Sequence, residues 1–459
     1  MEENGIRTAG DDITQVFRLL PALGRDIMDI TIGKTGPVTA RIRAPPSKSY
    51  THRALILAAL ADGISHITGQ LSADDTRITA RSLAALGVRI TWEHDLITVY
   101  GTGGRLRAPS DPIDIGDSGT SMRLLTAVCL LADGPVTLTG SERMQERPIG
   151  ALVNALNRAG ASIRYIGREG CPPLVIDGIL TGGDIRIDTC ISSQFISSLL
   201  IASPYAQADS RIILTGPAVS EPYITITTGM MSLFGVNAEQ TESLVWSVPA
   251  GIRFKPSSYL VEGDYSSSSY WSALAAIAGG TVTITGLNPD SAQGDKRFLE
   301  ILKDMGCSIT WSDAGVHQGE NTVIISRTRP LSGVSVDMSD CPDVVQTLAM
   351  VAAVARTPTK ITGIHHLREK ESDRITAIMK GLTTLGGSVT ASEDEIYIYP
   401  VPLHAGVIHP ERDHRTAMSF AILGSVVDGI TILDAGCVTK SYPDFWEVLR
   451  EAWKTGGSS

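Results

Sequence analysis

The chain has 459 residues, 43% hydrophobic and 19% charged, enough to bury a sizeable core divided among roughly two to four domains. A formal net charge of −10 argues against nucleic acid as a partner, and no apolar run approaches the roughly 18 residues that a membrane span needs. Six cysteines (Cys129, Cys171, Cys190, Cys307, Cys341 and Cys437) stand singly, without a C-x-x-C pair or metal-ligand spacing, as expected of free thiols in a reducing, cytoplasmic setting.

Residues 1–28 hold only a short apolar patch, Phe17 to Leu23, and read as a flexible extension unlike a secretory signal. A strand-like segment follows from Ile30 to Arg43. Pro45 and Pro46 stop it, and Ser47 is placed to cap an apolar helix through Ala54 to Leu60. A β-branched strand then ends at Gly69, and an amphipathic helix over Ser82 closes on Gly87. The same order recurs along the chain. Thr-Gly or Ala-Gly strand ends fall at Gly69, Gly140, Gly216, Gly286, Gly363 and Gly436, spaced by 71, 76, 70, 77 and 73 residues. Such even spacing predicts six copies of one αβαβ-type unit.

Each copy opens on a polar cluster before a helix rich in Ala, Leu and Ile. The clusters are Ser47-Lys48-Ser49, Asp117 to Thr120, Ser192-Ser193-Gln194, Asp264 with Ser266 to Ser269, Asp340 to Asp343, and Arg412 to Arg415. Helices apolar on most faces are expected to be buried, with N-termini that attract anions. Amphipathic helices ending at Gly160, Gly306 and Gly386 precede the strands Ser162–Ile166, Ser308–Trp311 and Ser388–Ala391, whereas the sixth copy lacks the closing glycine. Three copies on each side of a midpoint near Val261 predict two similar halves, 46–261 and 29–45 with 262–452, joined by two crossings. The lead strand returns to complete the second half, and a ligand cleft is expected between them.

The cations concentrate where the repeats place their polar clusters and post-strand loops. Ser49 and Arg53 fall at i and i+4 on one helical face, suited to holding one anion. In Asp117 to Arg123, Gly119 permits close approach to the backbone while Arg123 adds a fixed charge. Arg147 immediately precedes a helix expected to start at Pro148, and Lys370 with Arg374 would share a face if their segment were helical. Glu371 between them is expected to stay ionised until a substrate anion offsets those cations. Together with Arg415 and Lys440, they predict a basic cleft that binds two phosphorylated anions inside an acidic molecule.

Lys48-Ser49 with Arg53, Asp117 to Arg123, Glu146 to Ile149, Ser192 to Phe195, Lys370 to Arg374, Asp413 to Arg415 and Lys440 closely resemble the 5-enolpyruvylshikimate-3-phosphate synthases, members of the enolpyruvyl transferase family. The resemblance implies an inside-out α/β barrel fold with two domains, each of three pseudo-threefold βαβαββ-type repeats. It implies a monomeric enzyme acting on shikimate 3-phosphate and phosphoenolpyruvate without metal or organic cofactor. By the same resemblance, Lys48, Ser49, Arg53, Ser192, Ser193, Gln194, Ser220, Tyr223, Asp343 and Lys370 would hold shikimate 3-phosphate. Lys48, Gly119, Arg147, Gln194, Arg374, Arg415 and Lys440 would face phosphoenolpyruvate, supported by Asp117, Thr120 and Arg123. Asp343 and Glu371 would move protons with help from Lys48. Asp117 and His366 depart from the family pattern, which commonly has Asn at the first position and Asn or Glu at the second. The related transferase acting on UDP-N-acetylglucosamine commonly uses a loop cysteine, and none lies between Glu142 and Arg147.

Overall fold

The computed structural model describes residues 17–21, 28–188, 192–216, 219–312 and 321–454. Most of the expected extension and Cys190 lie outside them. Within them the chain forms six four-stranded sheets. In the second unit, Ile113–Asp114 runs parallel to Val136–Thr139, and the hairpin Ala161–Tyr165 with Leu174–Gly178 completes the sheet antiparallel to it. The third and fifth units repeat this plan with strands of their own, and the first, fourth and sixth complete it with strands from distant parts of the chain.

Ser258–Leu260 returns to pair with Ile64–Thr68 and so closes the first unit. The expected continuous lead strand divides into Met28–Ile32 and Val38–Arg43. Val38–Arg43 supplies the parallel edge of the fourth sheet, beside Gly280–Thr285. Met28–Ile32 pairs antiparallel with Ile430–Ile432, and Phe17–Pro21 pairs with Met28–Ile32. Residues 17–21 therefore form a strand rather than a flexible extension. Gly456 and Gly457 do follow the last helix of the sixth unit, Phe445–Lys454, so the expected lack of a closing glycine does not hold, and Phe17–Pro21 with Met28–Ile32 supply the two antiparallel strands of its sheet. Its marker also moves: the strand stops at Ile432 and Gly436 lies inside the 3-10 turn Ala435–Lys440. Asp434, at φ 47°, supplies the left-handed turn instead.

The six apolar helices are buried as their composition requires. In Tyr265–Ala278 every residue is buried, and in Lys48–Leu60 every residue from Tyr50 onward is. One cluster of buried side chains draws on Ile30–Ala44 and Tyr265–Ala452, and another on Tyr50–Val261. Hydroxyls lie within these interiors. Ser269, Thr347 and Ser419, one from each central helix of the first cluster, bond in sequence at 3.1 and 3.4 Å, which spares each the roughly 1–3 kcal/mol cost of an unpaired buried polar group.

The chain crosses between the two clusters at 45–48 and again at 262–264, and the crossings bond to each other. Ser47 N–H donates to the Glu262 carbonyl and Asp264 N–H to the Pro45 carbonyl, both at 2.8 Å. Gly263 is required there because a Cβ would lie 2.4 Å from the Gly286 carbonyl oxygen. Ser47 does not cap its helix through its side chain. Asp264 takes part instead: one carboxylate oxygen accepts Lys48 N–H at 3.2 Å and the other accepts Ser267 N–H at 2.7 Å. A single side chain thus ties the helix starts on either side of the crossing.

Candidate active site

Helix N-termini from both clusters open on one cavity. Lys48, Ser49, Thr120, Arg123, Arg147, Ser192, Ser193, Gln194, Ser220 and Tyr223 line it from one side, and Asp343, Lys370, Glu371, Arg374 and Arg415 from the other. Ser118, Ser192, Asp264 and Asp413 cap their helices through side chains, accepting N–H from Ser121, Gln194, Ser267 and Arg415. Gln194 also donates to Thr120 Oγ1 at 3.0 Å. Ser220 is held at φ 57°, a left-handed value uncommon for serine, while its N–H donates to the Ser339 carbonyl across the cleft at 3.0 Å.

Several details depart from the local expectations. The helix after Arg147 begins at Gly150 rather than Pro148. Lys370 and Arg374 do not share a helical turn: Lys370 closes a 3-10 segment with extended backbone, and Arg374 opens the next helix. Tertiary contacts bring both cations to the cavity instead. Arg53 lies beneath the lining, with its guanidinium donating to Thr227 Oγ1, Ser197 Oγ and the carbonyls of Ser49 and Tyr223 at 2.7–3.2 Å. Asp117 and Lys440 border an adjoining pocket shared with Arg147 and Glu371. Ser141 donates to the Asp117 carboxylate, and Lys440 Nζ donates to the Asp117 carbonyl at 2.7 Å.

The two walls differ electrically. Arg374 donates to Asp343, Glu371 and Asp413, each at 2.9 Å, and Arg415 donates to Asp343 at 2.8 Å. Burial alone would raise the Asp343 carboxyl, but Arg415 and Arg374, with Lys370 and Lys48, hold it well below the usual carboxylate range. Glu371 follows the same logic: Lys440, Arg374 and Arg147 outweigh its burial and keep it ionised. On the opposite wall, Arg123 and Arg147 are buried side by side, and neither Nε has an acceptor among the described residues. Burial and the neighbouring Arg147 push Arg123 down to about 9. A Cβ on Gly119 would meet the guanidinium nitrogens of Arg147 and Arg123 at 2.5–2.6 Å. Glycine at this position therefore makes room for two arginines as well as a ligand.

Asp75, Asp413 and Arg143 make contacts at the cavity that local sequence does not disclose. Asp75 receives Lys48 Nζ at 3.1 Å, Asp413 receives Arg374 Nε, and Arg143 reaches the backbone of residues 370 and 371. Each comes from a polar cluster or a post-strand loop, and that location is the signal that could have found them. Glu369 and Pro342 complete the lining. Among the described residues no group of three or more His, Cys, Asp or Glu side chains is placed to hold a metal ion, and no helix is long and apolar enough to cross a membrane.

The sequence model of the family EPSP synthase (3-phosphoshikimate 1-carboxyvinyltransferase) matches residues 32–449. A 3-phosphoshikimate 1-carboxyvinyltransferase of Methanospirillum hungatei JF-1 is 60% identical over 433 residues, covering 93% of this chain and 99% of its own length. One from Methanoculleus marisnigri is 48% identical over 423 residues, covering 92% and 99%. Among solved structures, an EPSP synthase from Acinetobacter baumannii superposes with a TM-score of 0.77 at 29% identity, over 92% of this chain and 98% of that one.

Proposed function

Because the chain belongs to the EPSP synthase (3-phosphoshikimate 1-carboxyvinyltransferase) family, we propose that its cleft transfers the enolpyruvyl group of phosphoenolpyruvate to the 5-hydroxyl of shikimate 3-phosphate. The observation that carries this reading is the pairing of opposed walls: Arg123 and Arg147, whose Nε atoms have no acceptor among the described residues, face carboxylates already bonded to Arg374 and Arg415. One wall attracts anions while the other moves protons.

In the first step the 5-hydroxyl oxygen bonds to C2 of phosphoenolpyruvate and a proton adds to its methylene carbon. In the second, a methyl proton leaves, the C2–O bond to phosphate breaks, and the enol ether and inorganic phosphate are released. Both steps are proton transfers coupled to C–O bond changes, so neither calls for a redox cofactor. Asp343, held well below the usual carboxylate range by Arg415 and Arg374, fits the base for the 5-hydroxyl. A substrate carboxylate competing for Arg374 and Arg415 would weaken their hold on Asp343 and raise its basicity. Glu371 gains the ability to hold a proton when anions offset Lys440, Arg374 and Arg147, and Lys48 on Asp75 assists. Ser49, Ser192, Ser193, Gln194, Ser220, Tyr223 and Lys370 would hold shikimate 3-phosphate, with Arg53 stiffening the floor below. Gly119, Arg147, Arg374, Arg415 and Lys440 would face phosphoenolpyruvate, and the cations stabilise the tetrahedral intermediate between the steps. We place the protein in the cytoplasm, a reducing setting that the free thiols among the described residues favour, and take it to act as a monomer by the family resemblance.

The test is phosphate release from phosphoenolpyruvate on mixing with shikimate 3-phosphate, with UDP-N-acetylglucosamine as control acceptor. Release with shikimate 3-phosphate alone is expected. Turnover only with the control would overturn the proposal.

A further inference from the structure

Arg143 belongs to the half that carries Lys48 and Arg147, yet two arms of its guanidinium reach the other half. Its Nε donates to the Glu371 carbonyl at 3.1 Å and its Nη2 to the Lys370 carbonyl at 3.0 Å. The third nitrogen, Nη1, donates to Glu146 Oε2 at 3.0 Å, which orients the fork from within its own 3-10 turn. That turn is anchored by Met144, 1% exposed, so the arginine projects from a fixed base.

The acceptors matter. Residues 370–373 form an irregular link between a 3-10 segment and the helix Arg374–Thr384, so helical geometry does not set their backbone. The ion pairs that grip Glu371 end on side-chain carboxylates, and a substrate anion competes for the same arginines and lysine. Main-chain carbonyls carry no such exchangeable charge. The hold of Arg143 on this link therefore persists while the carboxylate pairs rearrange. Arg147, four residues on, approaches the Glu371 side chain at 3.9 Å, so one loop grips both backbone and carboxylate of the proposed proton carrier.

We infer that Arg143 is a positioning residue that latches the 370–371 backbone across the cleft and presents Glu371 and Lys370 to the reacting centre only when the halves are joined. The inference rests on the enolpyruvyl-transfer reading for its kinetic consequence, but not for its structural one. Arg143 keeps 38% of its side chain exposed, so removing it leaves both hydrophobic clusters intact. Other cleft-spanning bonds, Thr439 to Asp74 at 2.7 Å and Lys440 to the Asp117 carbonyl, remain to hold the halves together.

The experiment compares the full chain with Arg143→Ala and Arg143→Lys. Amide hydrogen exchange over residues 368–374 is expected to quicken about tenfold in Arg143→Ala, with the rest of the molecule and the thermal midpoint unchanged. With phosphoenolpyruvate and shikimate 3-phosphate, kcat is expected to fall about 10- to 100-fold while KM for shikimate 3-phosphate stays near that of the unaltered protein. Added guanidinium restores part of kcat in Arg143→Ala, and Arg143→Lys, able to satisfy one carbonyl at a time, falls between. Unchanged exchange over 368–374 overturns the latch, as does full kcat in Arg143→Ala. If the unaltered protein releases no phosphate, the functional reading fails, and the exchange measurement still decides the latch.

Discussion

The two walls of the cleft are built from the same repeated unit and carry similar numbers of cations, but in different electrical states. The wall from 46–261 buries Arg123 against Arg147 and surrounds them with the hydroxyls and amide of Ser49, Ser192, Ser193 and Gln194. The wall from the other half saturates Arg374 and Arg415 with Asp343, Glu371 and Asp413. Two buried cations side by side, with only the Glu371 carboxylate, 3.9 Å from Arg147, paired to them among the described residues, attract an anion, whereas a cation bonded to a carboxylate suppresses that carboxylate's basicity until a competing anion arrives. On the enolpyruvyl-transfer reading, a single fold would thus provide an anion receptor and an acid–base centre by varying which helix N-termini carry acids.

The largest effect should come from the acid–base wall. Glu371→Gln is expected to lower turnover about 10²- to 10⁴-fold, with equilibrium binding of shikimate 3-phosphate nearly retained. Comparable losses in both would reduce Glu371 to a structural ion pair and erase the contrast between the walls. Asp413→Asn tests the saturation of Arg374 directly. It removes one charge from a fully buried pair and is expected to cost about 3 kcal/mol of stability in denaturant unfolding, at the lower end of such losses because Asp343 and Glu371 remain. A stability matching the unaltered protein would show that the arginine needs no third carboxylate.

Gly119→Ala probes the receptor wall. The added Cβ lies 2.5–2.6 Å from the ends of two long side chains, which can shift, so the fold should survive. KM for phosphoenolpyruvate is expected to rise about tenfold with KM for shikimate 3-phosphate unchanged, a loss of about 1.4 kcal/mol in anion binding. An unaltered KM would mean that Arg123 and Arg147 need not hold their present positions.

The smallest effect concerns Lys370, which burial pushes down to about 8 despite the attraction of Asp343. Binding a phosphorylated anion favours the charged ammonium and raises its pKa, so above pH 8 binding should take up a proton. Calorimetry in two buffers of different ionisation enthalpy would reveal this uptake, and Lys370→Arg should abolish it. Uptake persisting in that variant would assign the proton to another group.

Much of this was legible along the chain. The glycine spacing announced six units, and the polar clusters before apolar helices named about half of the residues that line the cavity, while the cations outside them point to Arg123, Arg147, Lys370 and Arg374, and Ser220 and Tyr223 follow only from the family resemblance. The errors share a cause. Ser47 reads as the cap of its own helix, but Asp264, 216 residues beyond Lys48, accepts the Lys48 N–H. Lys370 and Arg374 were expected to meet through a helical turn, but the link between them is irregular and the cavity brings them together.

What the sequence determined by itself was periodic or local: alternating apolar and β-branched stretches, capping residues, and the residue types that favour anions at helix N-termini. Hydrophobic period and capping act over a few residues, so they survive in a linear reading. Tertiary structure decided the rest. Phe17–Pro21 and Met28–Ile32 supply two strands of the sixth sheet, Asp75 and Asp413 anchor the cations, and Arg143 reaches across the cleft to residues 370 and 371. Each of these depends on a contact between segments brought together only by folding, and no local pattern encodes which distant carbonyl or carboxylate a side chain will meet.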